Sequence, residues 1–213
     1  MTRQSPTPTV FVVDDDPSVC RSLDMLLRSF GHPAETYGSA DAFLRAYRPE
    51  RPGCLVLDLR MPGMSGLDLQ RELGSRGAPL PIVFITAHGD VPAAVQALQG
   101  GAVDFLQKPF RDQDLIDKVE RALEQNAKAR RERAARREIT DRIRSLTSRE
   151  MQVMEFVVKG LTNRAIAEGL ELSERTVEIH RARMMRKMVA RSLPDLVQMV
   201  TRVRTGPAAH APD

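Results

Sequence analysis

A chain of 213 residues, 42% hydrophobic and 28% charged, is long enough for two small soluble domains. Its longest apolar runs, such as "PLPIVFITA", fall well short of a bilayer span, and "MTRQSPTPTV" has no apolar leader, so a cytoplasmic location and no membrane partner are expected. The net charge of +4 conceals an asymmetry: residues 1–120 carry 12 Lys+Arg against 16 Asp+Glu, and residues 121–213 carry 20 against 12, as expected if only the second half meets phosphate.

The first 120 residues alternate apolar runs with helical patterns. "TVFVVDDD", "AETYG", "CLVLDL", "PIVFITA" and "VDFLQKPF" read as strands; "PSVCRSLDMLLRSFG", "SADAFLRAY", "SGLDLQRELGSRG", "VPAAVQALQGG" and "RDQDLIDKVERAL" read as the helices between and after them. "VFVV", "LVL" and "IVFI" are continuous apolar runs suited to strands covered on both faces, and Leu23, Leu26, Leu27 and Phe30 recur at helical spacing. A five-fold βα alternation predicts an α/β fold, a doubly wound five-stranded parallel sheet, with ligands outside the carboxyl ends of its strands. Cys20 and Cys54, far apart and in no CxxC pattern, read as core residues.

From Arg121 to Glu138, "RALEQNAKARRERAARRE" holds seven basic and three acidic residues and nothing apolar larger than Ala after Leu123. This predicts an exposed helical linker, over 123–143, continuing the last helix of the first domain; a basic arm on nucleic acid is the alternative. From Leu146 the pattern is wholly helical in short pieces, with N-cap candidates Thr162 and Ser173 and a closing Gly160, which predicts a small all-α four-helix domain with a helix-turn-helix over 144–204. Residues 1–8 and 205–213 read as disordered tails.

Asp14 and Asp15 end strand one, and Asp58 ends the strand "LVL", so three carboxylates fall at one sheet edge. They repel one another unless a hard cation is present, and oxygen ligands suit Mg²⁺ with retained waters. Thr86 and Lys108 end the strands opposite. One hydroxyl, one ammonium and a metal can together neutralise a phosphoryl group on a carboxylate. Each residue alone has an ordinary role in a turn, strand or solvated face; the coincidence of all five at strand ends is what points to a site. The Lys108–Pro109 bond is expected to be cis, turning the lysine back to the pocket.

"VVDDDPSV", "LVLDLRMPGMSGLDL", "PIVFITAHGDV" and "GAVDFLQKPF" resemble the receiver domain of two-component response regulators, most closely the FixJ type, and "LTSREMQVMEFVVKGLTNRAIAEGLELSERTVEIHRARMMRKM" resembles the LuxR-type helix-turn-helix domain. The resemblance implies a flavodoxin-like receiver over 9–122. It implies that Asp58 accepts a phosphoryl group from a sensor histidine kinase, and that Asp14, Asp15, Asp58 and the backbone carbonyl of Arg60 hold Mg²⁺. Thr86 and Lys108 would bond the phosphoryl oxygens and Phe105 would swing inward. A receiver dimer would form around Val91 to Gln99 and Val103 to Gln107. Arg60 and His88 either control water access to the phosphoryl group or are ordinary loop residues.

In the basic module the same resemblance makes Thr162 to Leu170 the scaffold helix and Ser173 to Met188 the recognition helix, with Ala165, Ile166, Leu170, Leu172 and Val177 packing inside. With 4% aromatic residues and no Trp, duplex rather than single-stranded nucleic acid is the expected partner. The DNA-binding candidates are Thr162, Asn163, Arg164, Arg175, Thr176, Glu178, Ile179, Arg181, Ala182 and Arg183. Glu178 either accepts from a cytosine amino group or caps the helix; Ile179 either meets a thymine methyl or packs inward; Arg164, Arg175, Arg181 and Arg183 suit phosphates. His180 has no neighbouring ligand set and reads as a packing or phosphate-contacting residue. Glu171 and Val189 stand where the family pattern has Gly, so either those turns differ or they carry strain.

The function implied is a transcription factor switched by phosphorylation of Asp58, which dimerises its receivers, binds promoter double-stranded DNA and acts on RNA polymerase. A phosphorylation-independent DNA binder with a constitutive receiver dimer is the rival. An enzyme is not expected: there is no GxGxxG after strand one and no GxxxxGK, and a DxD phosphate-ester hydrolase would need a different arrangement of acids.

Overall fold

The computed structural model describes residues 7–77, 80–87 and 91–205. The chain divides into two compact units, residues 1–130 and 131–213. The expected tails, apart from residues 7, 8 and 205, and His88 lie outside the described residues.

The N-terminal unit alternates β1 (Thr9–Val13), α1 (Pro17–Ser29), β2 (Ala34–Tyr37), α2 (Ala40–Ala46), β3 (Gly53–Asp58), α3 (Gly66–Ser75), β4 (Ile82–Thr86), α4 (Val91–Gln99) and β5 (Asp104–Gln107), followed by α5 (Asp112–Arg144). The strands form one parallel sheet in the order β2-β1-β3-β4-β5. Because side chains alternate across a strand, its apolar runs feed two cores. Phe11, Val13, Leu55, Leu57 and Phe84 join Phe43, Leu69, Leu73 and Ala97 of α2, α3 and α4. Val10, Val12, Val56, Val83 and Ile85 join Leu23 and Leu27 of α1 and Leu115, Ile116 and Val119 of α5. Cys20 and Cys54 are buried among these, and burial pushes the Cys54 thiol up to about 12. Phe30 departs from its expected place: α1 ends at Ser29, and Phe30 is the cap and is 48% exposed.

The C-terminal unit contains α6 (Ser148–Val158), α7 (Asn163–Leu170), α8 (Glu174–Met188) and α9 (Leu193–Arg204). Thr147, Thr162, Ser173 and Ser192 each cap the following helix by accepting from its backbone. Met154, Met184 and Met188 fill its core beside Val153, Val157, Ile166, Val177, Leu196 and Val200; unbranched thioether chains suit so small a space.

The stretch read as an exposed linker makes buried contacts in each unit. Asn126 is buried and accepts from Gly53 N at 3.2 Å, and Arg130 donates to the carbonyls of Pro49 and Glu50. Ile139 is buried and Ile143 partly buried in the C-terminal core. The polar Asn and the long Arg stem do what no apolar pattern could reveal.

The β3–α3 connection ties the fold to the sheet edge. Gly66 N donates to Leu59 O at 3.1 Å, and a Cβ on Gly66 would lie 2.3 Å from the Asp58 carbonyl oxygen and 2.9 Å from the Phe84 ring. Gly66→Ala is therefore expected to destabilise the N-terminal unit by about 2 kcal/mol, as overpacking does, in a denaturant titration. An unchanged midpoint would show that α3 can slide away without cost.

Candidate functional site

Parallel register aligns Val13 with Leu57 and Leu57 with Phe84, so the residues that follow, Asp14 and Asp58, leave neighbouring strands side by side. This is the point where the strand order reverses, between β1 and β3, the usual mouth of a ligand site in an open α/β sheet. The three acids of "VVDDD" separate there. The Asp14 side chain is 2% exposed, Asp15 is exposed, and Asp16 turns away to cap α1 by accepting from Ser18 N at 2.7 Å.

Lys108 reaches across from the end of β5. Its Nζ lies 2.7 Å from Asp14 Oδ2 and 3.1 Å from Asp58 Oδ1, so one ammonium serves two carboxylates. Asp14 Oδ1 accepts from Asp16 N at 2.9 Å and Asp58 Oδ2 from Arg60 N at 2.8 Å. The peptide bond to Pro109 is cis, and Lys108 N donates to Thr86 O at 2.7 Å, which brings the end of β4 to the same place. Thr86 is buried and Phe105 is half-buried against the first core.

Burial raises the Asp58 carboxyl above its ordinary range, against the opposing pull of Arg60 N and Lys108. Burial also works against the Lys108 charge, but its bonds to Asp14 and Asp58 outweigh that and hold its pKa above the usual lysine value. The edge thus has more negative charge than one lysine can neutralise. Among the described residues no three acidic, His or Cys side chains converge tightly enough to hold a metal by themselves. The donors are nonetheless all oxygen, and Mg²⁺ needs only one or two carboxylates when it keeps its waters, so the set fits that ion.

On α8, Val177, Met184 and Met188 face the core, while Arg175, Glu178, Ile179, Ala182, Arg183 and Arg186 are exposed. Ile179 is 45% exposed, which settles its direction as outward. Thr162 and Ser173 are the N-caps, and Thr176 shares a 2.7 Å hydrogen bond with Ser173 Oγ. Arg164 is exposed and pairs with Glu168 at 3.1 Å. Arg181 does not reach outward: its Nη1 donates to Asn163 Oδ1 at 2.9 Å, fastening α8 to the start of α7, so these two DNA candidates bind one another. His180 Nδ1 is buried with no hydrogen-bond partner among the described residues, in keeping with packing. Ile166 and Val177 are fully buried, Leu170 and Leu172 pack on the same core, and Ala165 is half-buried. Arg186 lies on the same exposed stripe as Arg175, Ile179 and Ala182.

Both glycine-replacing residues are left-handed, Glu171 at φ 56°, ψ 46° and Val189 at φ 56°, ψ 32°, so the turns keep the glycine geometry and carry strain. The Val189 side chain is 59% exposed, so little burial opposes its removal. Val189→Gly is expected to stabilise the C-terminal unit by about 1 kcal/mol, seen as a higher melting temperature; a fall would mean the valine contacts outweigh its backbone strain.

Lys108→Gln would leave two buried carboxylates without a shared cation. Without divalent ions the N-terminal unit is expected to lose about 3 kcal/mol at neutral pH, by denaturant titration. The deficit narrows as pH falls, because protonating the raised Asp58 carboxyl removes one of the facing charges. No loss at neutral pH would show that solvent screens the pair.

Comparison with known proteins identifies the two domains. Residues 10–120 match the response regulator receiver domain, and residues 144–200 match the luxR family of bacterial regulatory proteins. The chain is 48% identical over 202 residues to the transcriptional regulatory protein FixJ of Azorhizobium caulinodans, spanning 95% of this chain and 96% of that protein. It is 48% identical over 198 residues to nodulation protein W of Bradyrhizobium diazoefficiens, spanning 93% and 87%. The solved structure of response regulator StyR aligns with a TM-score of 0.84 at 49% identity, covering 92% of this chain and 99% of that one. The chain belongs to the FixJ-type response regulators, in which a receiver domain precedes a LuxR-type DNA-binding domain.

Proposed function

We propose that Asp58 accepts a phosphoryl group from the phosphohistidine of a sensor kinase, and that this switches the chain as a regulator of transcription. The observation that carries the reading is the Lys108 ammonium shared between Asp14 and Asp58 at the switch point of the sheet. A carboxylate oxygen of Asp58 attacks phosphorus, the O–P bond forms, and the P–N bond breaks with its electron pair returning to the imidazole. Mg²⁺ held by Asp14, Asp15, Asp58 and the Arg60 carbonyl would supply charge compensation for the incoming phosphoryl group. Lys108 then pairs with a phosphoryl oxygen, and the Thr86 hydroxyl bonds another. The acyl phosphate adds nearly two negative charges and three acceptors, so it draws both side chains toward it and frees space for Phe105. Arg60, exposed beside the site, is placed to modulate water access. The chain is a phosphoryl acceptor and not an enzyme of steady turnover.

The face altered by this movement includes α4, where Val91, Val95 and Leu98 are 70%, 46% and 48% exposed. Exposed apolar side chains on one short helix suit a receiver homodimer formed on phosphorylation. Dimerised receivers bring two C-terminal domains to a two-fold-related site on promoter DNA, each placing α8 in the major groove. Arg175, Arg183 and Arg164 serve phosphates, and Glu178, Ile179 and Ala182 meet base edges, Ile179 against a thymine methyl. The bound dimer acts on RNA polymerase. Among the described residues no helix is long and apolar enough to cross a membrane, and a cytoplasmic setting suits a DNA-binding regulator.

Intact mass with a small-molecule phosphodonor and Mg²⁺ tests the reading. Wild type is expected to gain one phosphoryl group and Asp58→Asn none. Uptake by the variant, or none by wild type given a phosphorylated kinase as well, would overturn the proposal in favour of phosphorylation-independent DNA binding.

A further inference from the structure

The last turn of α8 is anchored by side chains from outside the helix-turn-helix. At its end Val189 N donates to Arg186 O and Ala190 N to Met185 O. The carbonyl of Met188 is one of the final helix carbonyls that lack a donor within the helix. It accepts from Arg142 Nη1 at 3.2 Å. The other terminal nitrogen of Arg142 bonds Glu138 Oε1 at 2.6 Å, so the guanidinium is oriented from its own helix, and its side chain is only 25% exposed.

One residue earlier Lys187 reaches back. Its Nζ donates to Ser145 O at 3.1 Å and to Glu150 Oε2 at 2.6 Å. That Oε2 also accepts from Thr147 N at 2.8 Å to complete a capping box, and Lys187 foremost, with Thr147, holds the Glu150 carboxyl down at about 2. The carboxyl end of α8 is thus tied in both directions to residues 138–150. Cations at this end also complement the helix dipole. Arg142 precedes the luxR-family match, which begins at residue 144, so the family pattern does not contain it.

We infer that Arg142 is a positioning residue for DNA reading: by fixing the carboxyl end of α8 it sets the angle at which the exposed side chains of that helix enter the groove. This rests on the DNA-binding reading proposed above. A 15-residue helix is about 22 Å long, so freedom at one end displaces groups along its length. Contacts to base edges depend on close geometry, whereas arginine-to-phosphate contacts tolerate a shift. Releasing Arg142 therefore lowers specific affinity more than non-specific affinity.

The test uses the full chain with phosphodonor and Mg²⁺, well below its melting temperature. Two probes of equal length are compared: a duplex that wild type selects from a randomised pool, and a random-sequence duplex. Arg142→Ala is expected to bind the selected duplex about tenfold more weakly and the random duplex within about twofold of wild type. Arg142→Lys, whose ammonium can still reach Met188 O, recovers most of the loss. Circular dichroism reports whether each variant is folded, and Arg142→Met, which keeps the apolar stem but has no donor for Met188 O, carries the test with the same expected loss if the alanine variant is not. Equal losses on both duplexes, or no loss on the selected one, overturn the inference. A wild-type chain that selects no duplex instead overturns the DNA-binding reading on which it rests.

Discussion

The N-terminal domain is organised around one ammonium shared by two buried carboxylates. Lys108 lies within hydrogen-bond distance of both Asp14 and Asp58, and none of the three is exposed beyond about a fifth. An arrangement of this kind requires strand ends that stop at the same level, which parallel register provides, and a lysine held at that edge, which the bond from Lys108 N to Thr86 O provides. It also leaves the edge short of positive charge. The same shortage that makes the cluster hard to hold together is what the proposed divalent cation would relieve, and Lys108 is already in place to meet the charge of the proposed phosphoryl group. The sheet and its two cores exist, from the viewpoint of function, to hold these groups in place.

The apolar periodicity and the order of the motifs made most of the receiver legible. Continuous runs such as "VFVV" suit strands covered on both faces, and the acids after them then fall at the carboxyl edge. What sequence could not separate was the fate of three consecutive acids: Asp14 is buried, Asp15 exposed, and Asp16 is a helix cap, a partition set by where α1 begins. The ring of Phe30 fits the helical period but lies one residue past the helix, where the period no longer applies.

The basic half was legible in its caps and its turn, and less so in its polar contacts. Composition between Arg121 and Glu138 reads as a solvated helix because almost no residue there is apolar. Yet Asn126 and Arg130 bond backbone groups of the α2–β3 region, more than seventy residues away in sequence. Likewise Arg181 and Asn163 each look like DNA contacts by position, and their mutual bond appears only when α7 and α8 are packed. Period and capping signals are local; a long side chain that satisfies a distant carbonyl leaves no local trace.

The two left-handed non-glycine residues show how these levels meet. A helix-turn-helix needs a tight reversal after α7 and a sharp end to α8, and the geometry persists although Glu171 and Val189 do not favour it. In both turns the helix is closed by backbone donors, Leu172 N to Ala167 O at 3.0 Å and Ala190 N to Met185 O at 3.0 Å, and a buried or partly buried apolar residue follows in each. Satisfied carbonyls and the packing of Leu172 and Ala190 favour the left-handed state by more than its local strain disfavours it. At Val189 the strained residue directly follows the carbonyl held by Arg142, so the least favourable dihedral of α8 sits beside a tether from outside the helix. Strain of this kind is tolerated only where the surroundings over-determine the backbone, and the carboxyl end of α8 is such a place.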